Sequence, residues 1–211
     1  MLKKIAVTGT ATEIGKTWVT ARIIELLRAQ GHNVSARKPV QSFVEGEGIT
    51  DAEVLAAASG ESVDLVCPRH RWYELPLAPP MAAEALHRPP IACADLVREL
   101  RLPDDGLVFI EGIGGPRSPL ADDGDTIDLA DDIDADLILL VAAPDLGTIN
   151  ATVLSAEVFG TRPLIVFLNR YDESSIDHVR NRDWLVNTSG LTVATSLQDL
   201  VSTLLDATEA G

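Results

Sequence analysis

The chain is poor in positive charge: 17 lysines and arginines stand against 32 aspartates and glutamates, a formal net charge of −15 over 211 residues. A surface of that sign gains nothing from counterion release on DNA or RNA and is repelled by anionic lipid, which argues against nucleic-acid and membrane-surface binding. Cysteine is scarce. Cys67 and Cys93 lack C-x-x-C spacing and read as reduced thiols. No apolar run of about 18 residues is present, and the N-terminus lacks the long apolar region and small-residue cleavage site of a signal peptide, so a cytoplasmic protein is expected. Internal repeats and linkers are missing as well. With 46% hydrophobic residues the chain can bury one sizeable core, and a single α/β domain over residues 1–211 is expected.

What is present is an alternation of short apolar runs with helical periods. Residues 5–7 read as a strand, and Trp18, Val19, Ala21, Ile23, Ile24, Leu26 and Leu27 recur at helical spacing up to Gly31. Residues 33–39 give a second strand and 40–49 a glycine-rich loop; Thr50 then caps a helix to about Ala58, with Asp51 in its first turn. The proline-rich stretch 62–90 should be irregular, with one short helix near 81–86, before a helix over 92–101. Continuous apolar runs at 107–110, Leu137–Ala142 and Leu164–Leu168 are what strands covered on both faces look like. Helices are expected at 149–158, 174–184 and 196–207. The alternation implies a mostly parallel sheet flanked by helices, right-handed crossovers, and a site beyond the C-terminal strand ends.

Between the first strand and helix lies GTATEIGKT, residues 9–17. It departs from the phosphate-loop pattern G-x-x-x-x-G-K-[ST] by one residue, since Gly9 and Gly15 are separated by five positions. Strand, glycine loop and helix nevertheless come in the required order, so backbone N–H groups and a helix N-terminus would together face an anion. Lys16 can reach terminal phosphates and Thr17 can offer its hydroxyl to Mg²⁺. With so few cations in the chain, a divalent ion should carry much of the phosphate neutralisation.

Three further motifs fall at strand ends. Lys38 closes the second strand, with Ser42 just beyond; alone it reads equally as a solvated surface lysine. Glu111, in VFIEGIGG, follows a strand that should lie beside the first, where a carboxylate can hold hydrated Mg²⁺ with Asp51 as its second. Glycines 112, 114 and 115 would let backbone approach a substrate. LGTIN, residues 146–150, turns into a helix and offers free N–H groups to a carboxylate.

GTATEIGKT, ARKPVQS with Asp51 downstream, EGIGGPRSPL and DLGTIN, in this order, make the chain resemble the dethiobiotin synthetase family, over its whole length and more loosely after residue 170. The family's loop also has five residues between its glycines. The resemblance implies a P-loop NTPase-type domain that joins CO₂ or bicarbonate to the two amines of 7,8-diaminononanoate, using Mg-ATP. It implies Lys16 and Lys38 as the catalytic cations, and ATP contacts from Thr12, Glu13, Ile14, Gly15, Lys16, Thr17 and Trp18. It further implies Thr17, Asp51 and Glu111 as the Mg²⁺ shell, and substrate contacts from Thr12, Ser42, Gly114 and Gly115. In a homodimer, Gly147, Thr148, Ile149 and Asn150 of the partner would hold the diamine's carboxylate tail. Asn169 matches the residue that reads adenine, and reads equally as a strand-end turn former.

Three departures stand out. Ala11 replaces the acidic residue of many members, TSGLTVATS stands where a Gly-x-Ile-Pro adenine segment is common, and Trp18 is bulky for its place and is expected to pack into the core. A partition or septum-placement ATPase would share the fold, but its signature lysine falls on Ala11. A corrinoid amide synthetase would need a glutaminase domain. An inactive nucleotide-binding paralogue is the remaining alternative.

Overall fold

The computed structural model of the protein describes residues 1–46 and 48–209; Glu47 in the glycine-rich loop, Ala210 and Gly211 lie outside the described residues. The chain begins with β1 (Leu2–Gly9), α1 (Lys16–Ala29), β2 (Val34–Arg37), β3 (Gln41–Ser42), α2 (Asp51–Ser59) and α3 (Val63–Val66). A 3₁₀ turn (Arg69–Arg71), β4 (Trp72–Tyr73), α4 (Pro79–Ala85), α5 (Cys93–Glu99), β5 (Gly106–Glu111) and α6 (Thr126–Asp132) follow. The last elements are β6 (Leu137–Ala142), α7 (Thr148–Glu157), β7 (Leu164–Leu168), α8 (Ile176–Asn187), β8 (Thr192–Ala194) and α9 (Leu197–Glu209).

Six strands form one sheet in the order β2-β5-β1-β6-β7-β8, with every pairing parallel. Successive side chains on a strand face opposite ways, and here both directions are buried. Ile5 and Val7 meet Phe109, Leu139 and Ile165 under α1, α2 and α9, whereas Ala6 meets Val108, Ile110 and Ile138 under α4, α5 and α6. Leu140 and Val166 pack against α7 and α8. Burial on both faces is the reason LVFI and LILLVA carry no polar residue.

Several boundaries differ from the expectation. β2 stops at Arg37 because Lys38 turns its N–H to the Val66 carbonyl (2.8 Å) and Pro39 has no N–H to continue a ladder. The expected 40–49 loop donates β3 to a small parallel pair with β4, where Phe43 meets Trp72 edge-on at 5.6 Å. The 62–90 stretch is more ordered than its prolines suggested, since Pro79 and Pro80 occupy the first turn of α4, where a missing N–H costs nothing. α5 is shorter than 92–101, and α8 starts on Ile176 after a Ser175 cap. Further elements, α6 and β8 among them, were not expected at all. α6 carries a capping box between Asp125 and Asp128, and β8 is a three-residue edge strand inside TSGLTVATS.

Candidate active site

Strand register brings the charged residues together. Arg37 lies opposite Ile110, so Lys38 emerges level with Glu111, the last residue of β5, and Glu111 lies opposite Val7 on the other side. Above them runs the phosphate loop, and its extra residue has a structural use. Thr10 N–H still bonds to the Val141 carbonyl (2.9 Å), so the strand's hydrogen bonding continues one residue past Gly9 before the loop turns. Gly15 is left-handed (φ 92°), and a Cβ there would stand 2.3 Å from Asn169 Nδ2. α1 then starts at Lys16 without a side-chain cap, which leaves its first N–H groups for an anion.

Glu111 is fully buried and accepts from Thr17 Oγ1 (2.7 Å), Thr20 Oγ1 (3.1 Å) and Lys38 Nζ (2.7 Å). Lys38, only 2% exposed, also reaches Asp51 Oδ2 (2.8 Å) and donates to the Gly112 carbonyl (3.1 Å). The surface-lysine reading of Lys38 is thereby overturned. Burial alone would pull the Lys38 ammonium down, but the Asp51 and Glu111 carboxylates outweigh it and hold it above the usual lysine range. The same ammonium holds Asp51 below the usual carboxylate range. Lys16 is shifted the other way, lowered by burial first and by the Lys38 charge second.

Asp51 owes its place to the start of α2. Thr50 and Glu53 form a capping box, and the Gln41 side chain accepts the Ala52 N–H at 3.0 Å, tying the helix start to β3. A cleft of about 840 Å³ takes in Thr12, Glu13, Gly15, Lys16, Thr17, Lys38, Ser42, Asp51 and Gly114 of the expected set, whereas Glu111 is buried behind its Thr17 and Lys38 partners and does not line it. Trp18 also lines it and is half exposed, so the expectation that it packs in the core is corrected: α1 turns position 18 toward the cleft, away from the sheet.

Other expected residues stand apart. Gly115 lines a second cleft of about 680 Å³ with Ala11, Leu154 and Val158, and its N–H is taken by Ser118 Oγ at 2.9 Å. Ile14 and Asn169 meet behind the loop, where the Asn169 amide donates to the Ile14 carbonyl at 2.9 Å. Gly147, Thr148, Ile149 and Asn150 border neither cleft, and the Thr148 hydroxyl points inward to the Ala143 carbonyl.

Among the described residues no three His, Cys, Asp or Glu converge on a metal position. Thr17, Asp51 and Glu111 offer only hard oxygen donors, two of them carboxylates, which suits Mg²⁺, an ion that keeps several waters and needs few protein ligands. Thr20 and Gln41 escaped the sequence reading. Thr20 had a signal, since it follows Thr17 by three residues and so shares its helix face. Gln41 had none, because its partner is a backbone N–H.

A parallel sheet with a glycine loop and a G-K-T helix start at the end of β1, facing a buried carboxylate at the end of β5, defines a P-loop nucleotide-binding α/β domain. Residues 3–203 match the family model described as an AAA domain. Among curated relatives, the chain is 38% identical to the ATP-dependent dethiobiotin synthetase BioD of Haloferax mediterranei, over 90% of this chain and 82% of that protein. It is 36% identical to that of Rhodococcus erythropolis, over 88% and 83%. The chain belongs to the ATP-dependent dethiobiotin synthetase family, a family of ligases. The fold alone is also shared with a DUF1611 family protein of Anabaena variabilis, at TM-score 0.57 and 17% identity over all of this chain and 57% of the other. A plasmid partition protein of Borrelia burgdorferi gives TM-score 0.53 and 12% identity, over 97% of this chain and 98% of the other. No helix among the described residues is long and apolar enough to cross a membrane.

Proposed function

We propose that the cleft closes the ureido ring of dethiobiotin from 7,8-diaminononanoate, CO₂ and ATP. The carrying observation is that Lys16, Lys38, Thr17 and Asp51 line one cleft with Ser42 and Gly114, while the buried Glu111 accepts from Thr17 and Lys38. One amine of the substrate adds to CO₂ and loses a proton, giving a carbamate. A carbamate oxygen attacks the γ-phosphorus and ADP leaves; the second amine then attacks the carbonyl carbon of the mixed anhydride, closes the ring and expels phosphate. Mg²⁺, held by Thr17, Asp51 and Glu111, would neutralise charge on the phosphates.

The protein's own part is positioning and charge. Lys16 and the first N–H groups of α1 face the phosphates, and Lys38 and Ser42 border the carbamate. Thr20 donates to Glu111 and keeps its carboxylate turned toward Thr17. Such chemistry needs no cysteine or histidine nucleophile. Asn169 is proposed to read adenine from its place beside the Ile14 carbonyl, and comparing turnover with ATP, GTP and CTP tests that role.

The substrate tail is proposed to bind the α7 start of a second copy. In support, Gly147 to Asn150 lie outside the cleft of their own protomer, while Leu146 is fully exposed and Leu154 is 56% exposed. The ring-closing proposal is tested by mass detection of dethiobiotin; ATP hydrolysis indifferent to the diamine, with no product mass, overturns it.

A further inference from the structure

The Lys38 ammonium has three N–H donors, and oxygen surrounds it on three sides: Asp51 Oδ2 at 2.8 Å, Glu111 Oε1 at 2.7 Å and the Gly112 carbonyl at 3.1 Å. Its side chain is 2% exposed, so solvent takes no share. Two of these oxygens belong to the carboxylates proposed for Mg²⁺, and the third member of that shell, Thr17, donates to the same Glu111 oxygen at 2.7 Å. A divalent ion touching the same two oxygens at about 2.1 Å would lie in contact with the ammonium that now holds them. Two cations cannot share that pair of oxygens, one of them on the fully buried Glu111, without strong repulsion.

We propose that Lys38 is a tethered competitor for the metal position: its ammonium neutralises Asp51 and Glu111, and a divalent cation must displace it, turning the freed ammonium into the cleft toward the anionic reactants. The inference rests on the metal-site reading given above. One group then serves two purposes. It keeps the buried Glu111 charge paired, and it becomes available to the substrate only once the metal is in place. The lysine stem is long and has rotatable bonds, which makes the exchange a side-chain movement rather than a backbone one.

The test uses Mn²⁺ and the full chain, without nucleotide or diamine. Free Mn²⁺, read by electron paramagnetic resonance during titration, should show Lys38→Met binding the ion about tenfold or more tightly than the unsubstituted protein, as removal of a like charge at contact requires. Adding Asp51→Asn to that variant should cancel the gain. Equal or weaker Mn²⁺ binding by Lys38→Met overturns the proposal. Thermal unfolding gives a second reading, because Lys38→Met leaves Glu111 unpaired: the variant should melt lower without divalent ion and regain most of the loss with Mg²⁺.

Should the variant not fold, the unsubstituted protein still decides. Its Lys38 ammonium, observed by ¹⁵N resonance, should exchange slowly and shift when Mg²⁺ saturates the site, and an unmoved resonance at saturation overturns the proposal. None of these readings involves ring closure. Product formation with no gain in Mn²⁺ affinity therefore removes this inference alone, and metal exchange without product removes the ligase reading alone.

Discussion

Lys16 and Lys38 lie in the same cleft yet are held in opposite ways. Lys16 is buried with a second cation near it and is pulled below the usual lysine range, while Lys38 is clamped by two carboxylates and held above it. In the proposed chemistry both oppose charge that grows on the transferring phosphoryl group. Lys16→Gln and Lys38→Leu should therefore each lower kcat by about 10²- to 10³-fold in steady-state assays, and near-normal turnover in either variant would remove that residue from the mechanism. The thiols make a separate prediction. Burial pushes Cys67 up to about 12 from an ordinary 9.0. The folded thiol thus keeps its proton to higher pH than the unfolded one, so its contribution to stability is complete below pH 9 and is lost as pH rises toward 12. At pH 8, iodoacetamide should leave Cys67 untouched in the native protein and modify it in denaturant, as peptide mapping will report. Rapid native alkylation would contradict the packing around it.

At the scale of elements, the parts legible in the sequence are those whose signal is local. The long apolar runs became β5, β6 and β7 because both faces are buried, and Thr50 announced the start of α2 as its cap, with Asp51 in the first turn. The glycine loop, Glu111 and Asp51 were legible for the same reason. What was not legible depends on distant partners. The two-residue strands β3 and β4 exist only through each other, and β8 is a short edge strand with one neighbour. Trp18 fits the apolar period of α1 but faces the cleft, a direction that the period alone does not settle. The turn into β5 gives a sharp test. Gly106 is left-handed (φ 89°), and a Cβ there would approach the Asn33 carbonyl oxygen to 2.4 Å. Gly106→Ala should lower unfolding free energy by about 1–3 kcal/mol, seen as a lower denaturant midpoint, with the cleft chemistry intact. An unchanged midpoint would show that the turn relaxes freely.

For the whole molecule, a net charge of −15 and affinity for nucleotide are reconciled by placement: Lys16 and Lys38 both line the cleft proposed for the phosphates, and a divalent cation would supply the rest. In the proposed arrangement a second copy would complete the site. Leu154 lies on the outer side of α7, so Leu154→Arg should fold normally, shift sedimentation from dimer to monomer, and lose ring closure while ATP still binds. A dimer that survives this change, with full turnover, would place the tail site elsewhere. Ala11 borders the cleft that runs from the phosphate loop to Leu154, which puts this departure from the family pattern beside Gly115 and outside the group formed by Thr17, Asp51 and Glu111. The most direct measurement is a coupled one on the purified chain with 7,8-diaminononanoate, bicarbonate and Mg-ATP, following dethiobiotin by mass spectrometry and ADP by a linked assay. The proposed chemistry predicts equal amounts of dethiobiotin and ADP, both dependent on the diamine; ADP release that ignores the diamine, with no product mass, would contradict it.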